Sequence, residues 1–421
     1  MSIICGTDLS DASSGALAVA LAIGALRGDK EIVLVHVADD DTGDAALAAL
    51  RPKLDAQAAK HQGTLPVRTE LVSGPTAATL VQFADTESSD LIVIGARSRG
   101  QGGLGTTANE VISHTDVPVI VVRDPAPWLA YASGESSLRL MLGIDDSAVC
   151  ELGIQWTHRM RTLGKVDVVL GAIYYPDDAC DHYGLDRKSM VERDPQIEQL
   201  MERDLIRRFG MPLPTHPYKD GNAVVARSRR GLGRIGDHLI ELATEEQVDA
   251  IVIGTGQKTG LGRLGSVSSV IADEATQSVV CVPPQAALLT ITVPVLRGAL
   301  VATDLSQFAN RAVPYAFAAC EPDAEIHIVH IVDEDADVNV AEVEKSLLAL
   351  RPLGAKQNVT PHVVRGSDPA KTMAQTAARL GVDVICICSH GRSGITRALV
   401  GSVADKLLRA TRLPVLVLRP A

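Results

Sequence analysis

The chain has 421 residues, of which 46% are hydrophobic but only 3% aromatic, and its formal net charge is −11. This length exceeds one ordinary domain, and the scattered lysines and arginines exclude the basic stripe that binds nucleic-acid phosphates. Because the apolar residues are mostly Ala, Val, Leu and Ile, the composition favours an α/β fold with helices covering parallel sheets.

The N-terminal sequence MSIICGTDLSD lacks the basic start and apolar stretch of a signal peptide. No uncharged apolar run approaches the roughly 20 residues of a membrane span. Seven irregularly spaced cysteines indicate reduced, mostly buried thiols. These features predict a cytoplasmic protein without a membrane partner.

The first third of the chain predicts five strands that alternate with helices. The run SIICG leads into TDLS at 7–10 and an Ala-rich helix, and IVLVHV at 32–37 is a buried second strand. A third strand precedes the helix that SGPTAATL opens. The last two predicted strands are DLIVIG from Asp90 and PVIVV from Pro118, with a glycine-rich loop and a helix between them.

The middle third is a more divergent copy of the same pattern. Its matching segments are LMLGIDDS at 140–147, VDVVLGAI at 166–173, DAIVIG at 249–254 and the final helix and strand from Gly265. The polar segment from about 174 to 222 has no counterpart in the first third, and we expect a solvated inserted loop there.

The last third repeats the first in register. TDLS recurs at 303–306, IHIVHI at 326–331 is the second strand, and the last strands are DVICIC from Asp383 and PVLVL from Pro414. Asp8 and Gly105 are 97 positions apart, as are Asp304 and Gly401.

The repetition predicts three tandem doubly wound α/β domains at 1–125, 138–284 and 297–421, each a five-stranded parallel sheet with helices on both faces. Linkers are expected near 125–137 and 284–296.

A glycine-rich loop in the last domain, CSHGRSGITRALVGS, resembles the phosphate loop of universal stress proteins. That family's pattern is Gly, two residues, Gly, nine residues, then Gly followed by Ser or Thr. Gly391, Gly401 and Ser402 match it, while Cys388 replaces the first glycine. The resemblance covers nearly the whole chain and implies the family's adenine nucleotide alpha hydrolase-like fold.

The resemblance also implies a ligand, ATP or another adenine nucleotide, with or without Mg²⁺. Its phosphates would bind glycine-rich backbone and a helix N-terminus, with Arg392 pairing with phosphate oxygens. Asp304 would contact the ribose or phosphate side, and the backbone of Ile331 the adenine. The implied nucleotide-binding residues are Thr303, Asp304, Ile331, Gly391, Arg392, Gly401, Ser402 and Val403. A weaker set in the first domain is Asp8, Val37, Gly95, Gly105 and Thr106.

The other two loops are shorter by three and two residues, with Ser98 and Gln257 at the second glycine position. Three functions therefore remain: a nucleotide-responsive regulatory protein of the stress-protein type, a ligand-free scaffold, or a slow ATPase. No Walker-type Gly-Lys-Ser/Thr sequence is present, and no catalytic residue is predicted.

Other motifs favour structural interpretations. GLGRIG at 231–236 and GLGRLG at 260–265 match a dinucleotide fingerprint but do not follow the first strand of a βαβ unit, so we interpret them as turns. Cys386, Cys388 and His390 alternate along a strand and are interpreted as core residues, with no metal site predicted.

The polar runs DDACDH at 177–182 and RSRR at 227–230 are interpreted as solvated surface. His36 and His330 are expected to satisfy hydrogen bonds at strand ends rather than to act as bases.

Each domain should expose its final strand at a sheet edge, where an apolar strand readily pairs with another. Proteins that resemble this family commonly pair there. Three domains leave one edge over, which predicts a homodimer through final-strand edges. The undistorted first and third domains are the expected partners within the chain, leaving the middle one, in which Ser278 replaces the leading proline.

Overall fold

The computed structural model describes residues 2–61, 65–96, 105–145, 147, 149–186, 193–210, 222–228, 233–256, 267–286, 295–389, 401–411 and 413–418. These residues form two compact units. One comprises Met1–Tyr174 and Leu205–Thr290, and the other comprises Tyr175–Asp204 and Ile291–Ala421.

The first repeat has the predicted alternation of strands and helices. Four of its five strands consist mainly of Ile, Val and Leu residues that are mostly buried, as expected between two helical layers, whereas the edge strand at Val67–Ser73 is partly exposed. The elements are β1 (Ile3–Gly6), α1 (Asp11–Arg27), β2 (Ile32–Ala38), α2 (Asp44–Ala59), β3 (Val67–Ser73), α3 (Thr76–Thr86), β4 (Leu91–Gly95), α4 (Thr106–His114) and β5 (Val119–Val122).

The expected linker after β5 forms a helix, α5 (Ala126–Ser133), which begins after Pro125 and ends at Gly134 in a left-handed conformation. Its aromatic residues Trp128 and Tyr131 are buried, and the Tyr131 hydroxyl donates to the carbonyl of Met160 at 2.6 Å. Buried aromatic side chains therefore fix a segment that composition alone suggested was a linker.

The second repeat contains the insertion, which forms two helices in its described part. Cys180, Tyr183 and Ile197 are buried within it, so the expectation of a solvated loop was wrong for these helices. The elements are β6 (Leu138–Gly143), α6 (Val149–Leu163), β7 (Val166–Tyr174), α7 (Pro176–Tyr183), α8 (Pro195–Phe209), β8 (Ala223–Ser228), α9 (Ile235–Glu245), β9 (Ala250–Gly254), α10 (Val267–Glu274) and β10 (Ser278–Val282).

The third repeat starts its first helix later than the first repeat does. A short 3-10 helix at Ala309–Arg311 precedes that helix. The elements are β11 (Gly298–Ala302), α11 (Ala312–Ala319), β12 (Glu325–Val332), α12 (Val340–Leu348), β13 (Asn358–Arg365), α13 (Pro369–Leu380), β14 (Val384–Cys388), α14 (Ser402–Ala410) and β15 (Val415–Leu418).

The first two repeats share one ten-stranded sheet with the order β3-β2-β1-β4-β5-β10-β9-β6-β7-β8. Strands within each repeat are parallel, and β5 pairs with β10 antiparallel, with Ile120 opposite Val280. The expectation that the first and third repeats pair within the chain was therefore wrong. The third repeat forms a separate sheet, β13-β12-β11-β14-β15.

The position of Ser278 helps to explain this pairing. A proline stands there in the other repeats, whereas the Ser278 hydroxyl accepts from the backbone N–H of Arg123 at 3.1 Å. The Arg123 guanidinium also donates to the carbonyls of Gln277 and Ala272, at 3.0 and 2.6 Å. Side chains from both repeats thus reinforce the backbone ladder between them.

Candidate functional site

In the third repeat, the turn after β11 places Asp304 at the carboxyl edge of the sheet. Leu305 has a φ of 63°, a left-handed conformation that costs free energy in a branched residue. Two side chains stabilise the turn: Thr303 Oγ1 accepts from the Leu305 N–H at 3.0 Å, and Asp304 Oδ1 accepts from the Ser306 N–H at 2.9 Å. The turn therefore holds the carboxylate in place before any ligand arrives.

The first repeat has the same turn. Leu9 has a φ of 64°, Thr7 Oγ1 accepts from the Leu9 N–H at 2.9 Å, and Asp8 Oδ1 accepts from the Ser10 N–H at 3.0 Å. Partial burial opposes the ionisation of Asp8, but hydrogen bonds from Ser10 prevail and keep its pKa below the ordinary value. The same turn thus places an aspartate side chain at this edge in both repeats.

A histidine near the end of the second strand joins that strand to the turn. His330 Nδ1 lies 2.8 Å from the carbonyl oxygen of Thr303, and His36 Nδ1 lies 2.8 Å from that of Thr7. The expectation that these histidines satisfy hydrogen bonds at strand ends is confirmed. The contact fixes the backbone of the next residue, Ile331, beside the Asp304 turn.

The helix after the glycine-rich loop begins in the same way in both repeats. Gly401 precedes α14 with φ −55° and ψ 150°, and Gly105 precedes α4 with φ −57° and ψ 149°. Among the described residues, no side chain caps either helix, so the first-turn N–H groups, which include those of Ser402 and Val403, have no side-chain partner there. Because β11 and β14 are parallel, the start of α14 lies at the same sheet edge as Asp304. Gly391 and Arg392 lie outside the described residues.

Gly401 cannot carry a side chain in this conformation. A Cβ atom there would lie 2.0 Å from the carbonyl oxygen of Ser389, far inside the contact distance. The glycine is therefore required where β14 and α14 approach each other, before any ligand is considered.

Cys388 occupies the same sheet position as two glycines. It pairs with Leu418, while Gly95 pairs with Val122 and Gly254 with Val282. A Cβ on Gly95 would lie 2.7 Å from the backbone of Ala12 in α1, and one on Gly254 would lie 2.7 Å from the carbonyl oxygen of Val149 in α6. In both repeats, glycine allows the first helix to pack closely on the sheet.

The third repeat accommodates Cys388 because its first helix begins later. The position equivalent to Ala12 is Phe308, which precedes the 3-10 helix. The Cys388 thiol lies beside the backbone N–H of Ala312. Burial raises its pKa, the Ala312 N–H and Arg311 oppose that rise, and Asp304 adds to it. The sequence shows this difference, because DASSGA follows the shared TDLS in the first repeat and QFANRA follows it in the third. We did not predict the later helix start from it.

The equivalent edge of the second repeat is occupied by a side chain from the insertion. Arg208 of α8 donates to the carbonyls of Asp145 and Ser147, at 2.5 and 3.1 Å, and pairs with Glu151. The Cys150 thiol donates to Asp145 Oδ1 at 3.0 Å. The protein's own groups thus hydrogen-bond to the backbone and the carboxylate of this turn. Sequence reasoning missed Arg208 because it lies 63 residues from Asp145.

The remaining motifs have structural roles where they are described. In the DDACDH run, Asp181 pairs with Lys371 at 2.8 Å and Cys180 is buried. Cys386 lies in the core, where burial raises its pKa to about 12, and His390 lies outside the described residues. Within the described part of the chain, no cluster of three or more His, Cys, Asp or Glu side chains is arranged to hold a metal.

These features define a tandem array of doubly wound α/β repeats with aspartate-containing turns at the carboxyl edges of the strands. The chain belongs to the universal stress protein family, whose model matches residues 1–123, 138–283 and 297–419. The resemblance seen in the sequence and the predicted fold class are thereby confirmed.

Named members and solved structures of this family match parts of the chain. The universal stress protein Rv2623 of Mycobacterium tuberculosis is 25% identical over 320 residues, which cover 68% of this chain and 98% of that protein. A universal stress protein structure from Archaeoglobus fulgidus covers 66% of this chain and 97% of its own, with 15% identity and a TM-score of 0.50. A universal stress protein solved in complex with cAMP covers 30% of this chain, with 21% identity and a TM-score of 0.25.

No helix in the described segments is long and apolar enough to cross a membrane.

Proposed function

We propose that the chain is a regulatory protein of this family that binds ATP or a related adenine nucleotide in its third repeat. The observation that carries the proposal is the convergence of three features on one sheet edge. These are the carboxylate of Asp304, the strand end that His330 fixes, and the α14 N-terminus that Gly401 opens.

Each feature suits a different part of a nucleotide. The N–H groups at the start of α14 carry the partial positive charge that favours phosphate, and Gly391 and Arg392 of the loop would complete that site. The Asp304 carboxylate would accept from a ribose hydroxyl, and the backbone of Ile331 would face adenine. Mg²⁺ would bind only together with the phosphates of the nucleotide.

The other repeats are poorer candidates for physical reasons. Arg208 engages the equivalent turn of the second repeat. The first repeat has the same turn as the third, but Gly95 and Gly105 are separated by three fewer residues than Cys388 and Gly401. A shorter loop wraps fewer phosphate oxygens, which supports an architectural role for the first two repeats.

We expect equilibrium titration with ATP to give one nucleotide per chain. The variant Asp304→Ala should weaken binding about tenfold or more, since a hydrogen bond to a charged group contributes about 1.5–3 kcal/mol. The matched variant Asp8→Ala removes the same group from the first repeat and should leave the affinity unchanged. Two nucleotides per chain, or equal losses in both variants, would reject the third-repeat assignment. The absence of any binding would favour a scaffold.

We also propose a homodimer through β15. In the shared sheet, the final strands β5 and β10 are fully buried, whereas all four residues of β15 in the third repeat are partly exposed. Val403 and Leu408 of α14 are also exposed. The inward carbonyls of Pro414 and Leu418 accept from the N–H groups of Ile385 in β14 and of Ser389 just after it. Because hydrogen bonding alternates along a strand, Val415 and Val417 present their backbone groups outward, which is a template for a second copy.

Light scattering on a sizing column should therefore give twice the chain mass at micromolar concentration. Val417→Pro removes an outward N–H but no bond to β14, so it should yield a folded monomer. Leu348→Lys, a change at an exposed apolar residue of α12, should leave the dimer intact. A monomeric wild-type chain, or a dimeric proline variant, would contradict this interface.

We also propose that the protein lies in a reducing compartment, the cytoplasm, because none of the seven cysteines is in a disulfide.

A further inference from the structure

Two histidines on neighbouring strands of the third repeat share a hydrogen bond. His327 of β12 and His362 of β13 have their Nδ1 and Nε2 atoms 3.0 Å apart, with ring centroids 5.2 Å apart. One ring nitrogen must donate and the other must accept, so this contact requires that at least one of the two rings remains neutral. A second proton would place two positive charges in contact.

Charged groups of both signs lie around the pair. His327 is buried, and its Nε2 lies 3.8 Å from the carboxylate of Glu325, an exposed group on the same strand. His362 is half-buried; burial lowers its pKa, Arg379 of α13 adds to that effect, and Glu344 of α12 opposes it. At His362, burial and Arg379 therefore oppose protonation more strongly than Glu344 favours it.

The strand that carries His362 lies at the edge of its sheet. β13 is the outermost strand, so it has a neighbour on one side only. The N–H groups of Asn358 and Gly366 donate to the carbonyls of Ala324 and Val332, so alternate residues bond to β12 and Pro361 stands on the outward side. The histidine contact is thus a side-chain tie between an edge strand and its single neighbour.

The end of β13 also supports the segment after β12. The Arg365 guanidinium donates to the carbonyls of Glu334 and Ala336, at 2.7 and 3.0 Å. That segment follows β12, in which Ile331 is the residue before the last. Loosening β13 therefore removes support from the backbone that we assign to adenine.

We propose that the His327–His362 pair makes the attachment of β13 acid-sensitive, so that the strand opens and the segment after Ile331 loosens as the pH falls below about 6.5. Its effect on nucleotide binding rests on the proposed function, whereas its effect on the strand does not.

The direction of the pH effect on the attachment of β13 follows from proton binding. When the strand is detached, both imidazoles titrate near their ordinary value of about 6.5. When it is attached, the pair excludes one proton, so the detached form binds more protons at acidic pH. The stabilisation is fully present above that value and is lost as the pH falls, by up to about tenfold in the opening equilibrium per pH unit.

Hydrogen exchange of the full chain at pH 7.5 and 5.5 tests the proposal. After correction for intrinsic exchange rates, the protection of the β13 amides should fall about tenfold on acidification, while that of β3, the equivalent strand of the first repeat, should not. His362→Gln keeps a hydrogen-bonding group but cannot be charged, so it should abolish the fall. His114→Gln, at an exposed histidine, should retain it.

An unchanged β13 protection in the wild type, or the same fall in His362→Gln, would overturn the proposal. ATP affinity at the two pH values provides the functional readout, and it should fall in the wild type but not in His362→Gln. If ATP binds at neither pH, the proposed function fails, and the exchange data alone decide for or against the histidine pair.

Discussion

Replacing Gly95 with cysteine is expected to destabilise the unit that contains the ten-stranded sheet by about 3 kcal/mol, the upper part of the range for overpacking. The new Cβ would lie 2.7 Å from the carbonyl carbon and oxygen of Ala12, which are backbone atoms of α1 and cannot rotate away. The helix would have to move from the sheet or restart later. The native third repeat has the later start, with Cys388 at the equivalent position.

Urea unfolding followed by tryptophan fluorescence is the direct measurement. Both tryptophans, Trp128 and Trp156, are buried in that unit and report on it specifically. The reciprocal change Cys388→Gly should cost only about 1–2 kcal/mol, through lost burial and greater backbone freedom, as judged by far-ultraviolet circular dichroism. A Gly95→Cys variant within 0.5 kcal/mol of wild type, as a rough threshold, would show that α1 adjusts without cost.

Replacing Gly401 with alanine is expected to abolish nucleotide binding in the third repeat. A Cβ at 2.0 Å from the Ser389 carbonyl oxygen forces β14 and α14 apart, which displaces the N–H groups proposed to bind phosphate. The smallest possible side chain is therefore sufficient, and no bulky residue is needed.

Calorimetric titration with ATP measures this effect, and circular dichroism checks that the variant is folded. Gly43→Ala is the matched control, since Gly43 precedes α2 with a negative φ and has no atom within 4 Å of an added Cβ. It should bind as the wild type does. Undiminished affinity in Gly401→Ala would remove the α14 N-terminus from the proposed site.

Much of the fold was predictable because it repeats. The matched intervals from Asp8 to Gly105 and from Asp304 to Gly401 fixed the turn and the helix start in two repeats, and the structure shows the same backbone conformation at both. Local chemistry explains this success. A threonine, an aspartate and a glycine act through backbone groups within a few residues.

The errors concern contacts between distant residues. Nothing local in Arg208 indicates that it reaches Asp145, and nothing local in Asp181 indicates its pairing with Lys371. The choice of the second repeat as the partner of the first depends on Arg123 contacting residues about 150 positions away. The substitution at Ser278 was noticed, but its hydrogen-bond partner was not predictable from spacing.

The antiparallel junction of β5 and β10 also limits how such a chain can be shortened or recombined. A fragment that ended after the first repeat would leave the four residues of β5, all buried in the whole chain, as a bare apolar edge in water. Such a fragment would aggregate or capture a foreign strand. The first two repeats are therefore expected to stay together as one folding unit. A gene rearrangement that separated them would have to provide another strand to pair with β5.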